Sequence, residues 1–285
     1  TKNLGKNASS LIVGFAVKSG FVGAEWSVSF DSDGLSVIYA TLLADGSIRV
    51  KRTSSAVGTV IGTTAPGLIL DSVWQFVEIK CIFATGATGT LVVRVNEVTA
   101  LNLTNVITSD GPTTANQVNF EFIQNLDDLY VLDMTGATNN DLIGDCKVLA
   151  LLPDGVGRVQ QWNVTGAVNH HDAVKETDVD DDTTYVSEST VGDREMFTLD
   201  ALPGSVTSVL AAQSCICAKK DDLGGRSIAS VLGNGVTESV SATTKSLWMG
   251  AYAFHLTPYD TNPITVAAWA TTDIAALEGG VQVTA

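Results

Sequence analysis

Residues 74–95 read WQFVEIKCIFATGATGTLVVRV, and their apolar rhythm decides the fold class. Val77, Ile79, Cys81 and Phe83 fall at every second position, as do Leu91, Val93 and Val95 beyond a turn at Gly86–Gly89. Successive side chains of a strand point to opposite faces, so a two-residue period gives each run one apolar face. The pattern spreads outward. Upstream lie Leu11–Lys18, Trp26–Phe30, Leu35–Leu43 and Ser47–Arg52, with turns at Asp31–Gly34 and Asp45-Gly46. Asp-Gly between apolar runs marks a hairpin, because the turn needs positive φ. Downstream, Leu101 and Leu103 continue the theme, and Val118, Phe120 and Phe122 are expected on one face of a further strand. Strands every 8–12 residues with turns between them predict a sandwich or barrel.

Beyond residue 152 the texture changes. Pro153-Asp154-Gly155 reads as a turn, followed by a polar stretch to about residue 190 that predicts a long ordered loop or a subunit contact. Strands are then expected at Glu195–Leu199, Val206–Ala218, Ser227–Leu232 and Ser246–Leu256. One short helix is expected at Thr272–Glu278, with Asp273 near its start and Gly279 after its end. The expected organisation is therefore a β-sandwich over 1–152 and a β-rich part over 153–285, with one shared fold as the alternative, since Greek-key sandwiches return late strands beside early ones.

The chain has 285 residues, of which 45% are hydrophobic and 16% charged, and a formal charge of −15 from 16 basic and 31 acidic residues. Phosphate binding needs clustered Lys and Arg, and these adjoin only at Lys51-Arg52 and Lys219-Lys220. Nucleic acid is excluded as a partner on that ground. No stretch reaches the ~20 apolar residues of a membrane span, so no membrane insertion is expected, and Thr1-Lys2-Asn3 opens no secretory leader. Of the four cysteines, Cys81 and Cys146 read as small core residues. Cys215 and Cys217 would share one strand face but lack two further ligands at zinc spacing.

The segment Leu126–Val148 reads LDDLYVLDMTGATNNDLIGDCKV, and the chain continues through Leu151–Gly155, Gln161-Trp162, Gly166, His170, Asp172 and the run Asp180–Val186. Together with Trp269, Asp273 and Glu278–Val281, these residues resemble a family of tailed-bacteriophage virion proteins. The resemblance implies an all-β chain: a concanavalin A-like, laminin G-type jelly-roll sandwich followed by a second β-rich region, with very little helix. It also implies a virion part, such as a tail, tail-fibre or capsid-decorating protein. Such a part would be assembled in the host cytoplasm and would act through contacts with other virion proteins and copies of itself.

Candidate sites follow from residue chemistry. Asp127, Asp128, Asp133, Asn139 and Asp141 are hard oxygen ligands at loop-like spacing, and calcium takes six to eight such oxygens. Ordinary turn chemistry is the alternative reading of the same residues. No other cofactor is expected. His170 and His171 stand beside Asp172, but neighbours on an extended segment point opposite ways, so one ion is not expected to take both; a hydrogen-bonded loop is the main reading, and contact with a partner or glycan is the candidate functional role. Trp162, at a loop edge, is the best candidate for an exposed aromatic contact, with core or interface packing the favoured alternative, while Trp74 and Trp248 are expected in the core. The carboxylate strand Glu-x-Asp-x-x-Glu of sandwich glucanases is absent, as are a G-x-S-x-G elbow, a P-loop and H-E-x-x-H. The expected function is therefore a non-enzymatic, homo-oligomeric virion component. A glycan-binding host-adhesion module is the alternative, and a glycan-cleaving enzyme is a third reading that needs a carboxylate pair.

Overall fold

The structure, a computed structural model, describes residues 1–20, 26–53 and 57–285. It is all-β with very little helix, as expected. The chain divides into two compact units, Thr1–Val148 and Leu149–Ala285.

The first unit contains β1 (Lys2–Ala8), β2 (Ser10–Lys18), β3 (Ser27–Ser32), β4 (Leu35–Leu42), β5 (Ile48–Arg52) and β6 (Thr59–Thr63). It continues with β7 (Trp74–Ile82), β8 (Gly89–Val95), β9 (Val98–Val106), β10 (Ala115–Glu121) and β11 (Leu126–Leu132). They form two antiparallel sheets, ordered β1-β10-β3-β4-β5-β6 and β11-β2-β7-β8-β9. Two sheets whose late strands return beside early ones form a jelly-roll sandwich of the concanavalin A kind. Its core is the alternating set read from the sequence: Leu11, Val13 and Phe15 of β2, Val28 and Phe30 of β3, Ile48 and Val50 of β5, Val77, Ile79 and Cys81 of β7, and Leu91 and Val93 of β8. Phe15 meets Trp26 edge-on at 5.6 Å, and Phe30 meets Phe83 edge-on at 5.9 Å, the geometry that aromatic quadrupoles favour. Both Asp-Gly hairpins form. Asp33 and Gly34 hold φ of 48° and 84° between β3 and β4, which is why glycine ends that turn. Asp45 Oδ1 accepts from the Ser47 amide at 2.9 Å ahead of β5.

The second unit contains β12 (Pro153–Gln160), β13 (Asn163–Thr165), a 3₁₀ turn (His171–Ala173), β14 (Tyr185–Ser187), β15 (Arg194–Leu199) and β16 (Ala212–Ala218). It ends with β17 (Ser227–Gly233), β18 (Glu238–Ser246), β19 (Ala253–Tyr259), α1 (Thr271–Ala275) and β20 (Glu278–Val283). A five-stranded sheet runs β12-β15-β20-β17-β18, and β13-β14 and β16-β19 are two-stranded ribbons.

Several expectations are corrected. Pro153-Asp154-Gly155 opens strand β12, which tolerates proline at its first position. Glycines at 155 and 157 then let β12 lie close on β15: a Cβ at Gly157 would stand 2.4 Å from the Met196 carbonyl carbon. The expected strand Val206–Ala218 begins only at Ala212, and Ser246–Leu256 is the end of β18 and the start of β19. The helix is shorter than expected, and Glu278 belongs to β20. The Asp273 side chain ends the chain's extended run by accepting the Ala270 amide at 2.9 Å. Phe122 leaves the strand at φ 60° and is exposed, so only Val118 and Phe120 of its trio pack inward. Cys146 lies in a loop, not an alternating strand. Trp74 is 50% and Trp248 70% exposed, not core.

Candidate functional site

The acidic motif of residues 126–148 is spent on the protein itself. Asp133 takes the Lys6 ammonium together with the Thr135 amide and hydroxyl (3.0 and 2.8 Å). Desolvation would raise its carboxyl, but these bonds hold it below its ordinary value. Asp141 takes Lys80 at 2.7 Å, which holds it low as well. Asp127 accepts the Asp128 amide at 2.8 Å, and Asp128 accepts that of Val148 at 2.9 Å. Asn139 sits in a left-handed turn at φ 50°. The structure does not bring these five residues together: among the described residues no group of three His, Cys, Asp or Glu side chains is placed to hold a metal.

The motif instead closes the outer face of the five-stranded sheet. The Tyr130 ring lies across the β2 backbone at Gly14, where a Cβ would stand 2.1 Å from a ring carbon. It stacks on Phe76 at 6.1 Å and donates its hydroxyl to Glu78 Oε1 at 2.6 Å. Burial first, and then Glu78, push the Tyr130 hydroxyl far above its ordinary pKa. The Gly144 amide donates to the same Glu78 oxygen at 2.9 Å, and Arg94 lies 3.3 Å from the other. Cys146 sits beside this strap, its thiol pushed up to about 11 by burial and by Asp128 and Asp145.

The outer face of the six-stranded sheet is built differently. Ser27, Ser29 and Asp31 alternate with the core residues Val28 and Phe30 on β3, so they point away from the core. The register places Gln117, Asn119 and Glu121 of β10 against Asp31, Ser29 and Ser27. On the other side Tyr39 and Thr41 of β4 stand against Ser29 and Ser27, and Lys51 and Arg49 of β5 stand against Tyr39 and Thr41. The result is two parallel cross-strand rows, Asn119–Ser29–Tyr39–Lys51 and Glu121–Ser27–Thr41–Arg49. Each row spans three inter-strand steps of ~4.8 Å, about 14 Å in all.

Hydrogen bonds order these rows. Tyr39 donates to Ser27 Oγ at 2.7 Å, and Ser27 donates to Glu121 Oε2 at 3.2 Å, which also lies 3.1 Å from the Tyr39 hydroxyl. Asn119 Nδ2 donates to Asp31 Oδ2. Among the described residues neither Asp31 Oδ1 nor Asn119 Oδ1, both buried atoms, has a hydrogen-bond partner. Carboxylates thus occupy the β10–β3 side, hydroxyls the middle and cations β5.

No protein-family model matches the chain, and no curated protein matches it. Among solved structures, sheep galectin-11 in complex with glycerol matches at TM-score 0.31 and 9% identity, over 45% of this chain and 95% of that one. CG-16, a homodimeric agglutinin from chicken liver, matches at 0.33 and 13%, over 44% and 92%. A toad ovary galectin in complex with thio-digalactose matches at 0.32 and 8%, over 43% and 89%. Strand order and register, not these likenesses, define the sandwich here.

In the second unit Trp162, His170 and His171 surround a residue that sequence reasoning passed over. The Glu195 carboxylate is fully buried. Its Oε1 lies 2.8 Å from His170 Nδ1, and its Oε2 accepts the Gln161 and Trp162 amides, both at 3.0 Å. His171 turns instead toward Asp172, with its Nε2 3.7 Å away. The two histidines diverge, here from a 3₁₀ entry and not from an extended segment. This knot pins the β12–β13 loop and the 3₁₀ turn to β15. The available signal for Glu195 was an acid inside an otherwise apolar run, Glu195–Leu199. For the sheet face it was the polar half of each alternation, Ser27/Ser29/Asp31 and Gln117/Asn119/Glu121.

Proposed function

We propose that the first unit is a non-enzymatic glycan-binding module whose site is the outer face of the six-stranded sheet. The observation that carries this reading is the pair of cross-strand rows. Their β3 members Ser27 and Ser29 are buried and form the floor, and the exposed or partly exposed Tyr39, Thr41, Arg49, Asn119 and Glu121 set hydroxyl, amide and charged groups at strand spacing on it, as recognition of a many-hydroxyl ligand requires. Cleavage would need two carboxylates about 5–9.5 Å apart across a scissile bond. Among the described residues the two on this face are Glu121, opposite Ser27, and Asp31, four residues further along β3. At ~3.3 Å per residue and one strand step they stand about 14 Å apart, too wide for either mechanism. Within the setting that the central motif resembles, a tailed-phage virion, such a module would meet host surface glycan.

The test is a glycan array probed with the whole chain, followed by titration of the best ligand against Thr41→Val. That change removes a hydroxyl from the middle of a row, and a lost hydrogen bond of about 1 kcal/mol predicts roughly fivefold weaker binding. An array with no ligand overturns the reading.

A structural role through contact with a second copy is a second reading. It is favoured by the exposure of Trp248, Met249 and, at the start of β19, Phe254, since large exposed apolar side chains are enriched at contact sites. Light-scattering mass should then exceed 29.8 kDa and fall toward it in Phe254→Ser. A monomeric wild-type chain overturns that reading.

A further inference from the structure

We infer that the glycan is acidic, and that Arg49 binds its carboxylate or sulfate group at the β5 end of the sheet face. This inference rests on the binding face proposed above and adds the ligand's charge and direction to it.

The chain holds 31 acids against 16 basic residues, so an arginine here has no shortage of carboxylates to pair with. The other arginines take partners. Arg52 pairs with Asp110, Arg94 with Glu78, Arg194 with Glu238 and Arg226 with Asp222. Arg158 donates to the Val236 carbonyl. Arg49 is in no ion pair among the described residues, although it stands on a polar face. Its charge is felt by Asp45, but that carboxylate is turned to Ser47, whose amide and hydroxyl lie 2.9 and 2.6 Å away. Opposite Arg49 across the sheet stand Thr41 on one side and Thr63 on the other. Both are hydroxyls that accept and donate without neutralising it.

The chemistry of that position follows. A guanidinium presents a planar fork of donors that matches a carboxylate or sulfate with two parallel bonds. From Arg49 the row runs through Thr41 and Ser27 to Glu121, so the charge changes sign across about 14 Å. An acidic sugar seated at Arg49 would lay its neutral neighbours over the partly exposed Thr41 and Tyr39. The reverse direction would set its anion against Glu121, so the charge gradient sets direction as well as preference.

The experiment titrates the whole chain with three matched oligosaccharides: one ending in a sugar carboxylate, its neutral methyl ester, and a sulfated analogue. An anionic form should bind about tenfold tighter than the ester, as expected for one charge-assisted bond. The advantage should shrink as salt rises, because screening acts on the exposed part of the interaction. The carboxylate and sulfate arms identify which anion is preferred. Arg49→Gln should remove the difference between the anionic forms and the ester at an unchanged melting temperature. Arg49→Lys should keep part of it. Equal binding of both anionic forms and the ester to the wild type, or discrimination that survives Arg49→Gln, overturns the inference and leaves the glycan reading standing. Binding of none of the three overturns both.

Discussion

The sandwich has two outer faces, and the chain treats them in opposite ways. Over the five-stranded sheet it lays its own residues: Tyr130 crosses Gly14, Gly144 reaches Glu78, and Asp141 reaches Lys80. Over the six-stranded sheet it leaves Tyr39, Thr41, Arg49 and Asn119 partly exposed in ordered rows. The same acid and hydroxyl chemistry therefore serves cohesion on one side and recognition on the other. What separates them is cover: the strap of residues 126–148 bonds to Glu78 and Lys80 on one face, while the rows on the other are hydrogen-bonded among themselves and leave Tyr39, Thr41 and Arg49 partly exposed. Substitutions on the closed face should cost stability, and substitutions on the open face should cost binding.

The largest expected effect is on the closed face. Glu78→Ala removes a buried acceptor from Tyr130, Gly144 and Arg94, and should cost about 3–5 kcal/mol in urea unfolding, the usual loss when a buried charged pair is broken. A smaller loss would mean that the strap contributes less than its bonds suggest. Next is Gly14→Ala, whose methyl collides with the Tyr130 ring. It should cost about 1–3 kcal/mol, as overpacking does, and Tyr130→Leu in the same chain should recover part of that by clearing the ring. On the open face Tyr39→Phe should cost only about 0.5–1.5 kcal/mol of stability, one hydrogen bond, while measurably weakening glycan binding. If stability falls as far as in Glu78→Ala, the contrast between faces is wrong.

Acid should loosen the strap. Asp133 and Asp141 have folded pKa values below 3.8. A depressed carboxyl stabilises the folded state above its unfolded pKa, and that contribution is lost as pH falls through the folded value. Hydrogen exchange should therefore rise in residues 133–148 below about pH 4, ahead of the sheet amides. The smallest expected effect is that of a chelator. With the motif's carboxylates already bonded to Lys6, Lys80 and backbone amides, the melting temperature should not move. A shift would restore calcium to the acidic motif.

Most of the sandwich was legible in period-two patterning, because each half-buried strand announces its inner face, as in Leu91, Val93 and Val95. The strands β2, β4, β5, β7 and β8 follow from that alone, while β6 (Thr59–Thr63) carried no such signal. What escaped depends on which outer face becomes covered. Ile12 and Phe76 are buried on the side away from the core, and no local signal distinguishes them from exposed apolar residues. The acidic motif looked like a cation site because spacing shows which oxygens are near in sequence, not which lysines arrive from β1 or β7. Trp74 and Trp248 looked like core because they adjoin apolar runs, yet each sits at or beyond a strand end where burial stops. Glycine hid β12, since Gly155 and Gly157 read as turn residues until a partner backbone comes close enough to need them.

One consequence lies in the order of pairing. β1 is hydrogen-bonded to β10, and β2 to β11, so the opening strands wait for segments more than a hundred residues downstream. A ribosome must release most of the sandwich before either sheet can complete its edge. Such distant pairing slows folding into the millisecond-to-second range. Until then the nascent β2 offers neighbouring chains an unprotected hydrogen-bonding rim.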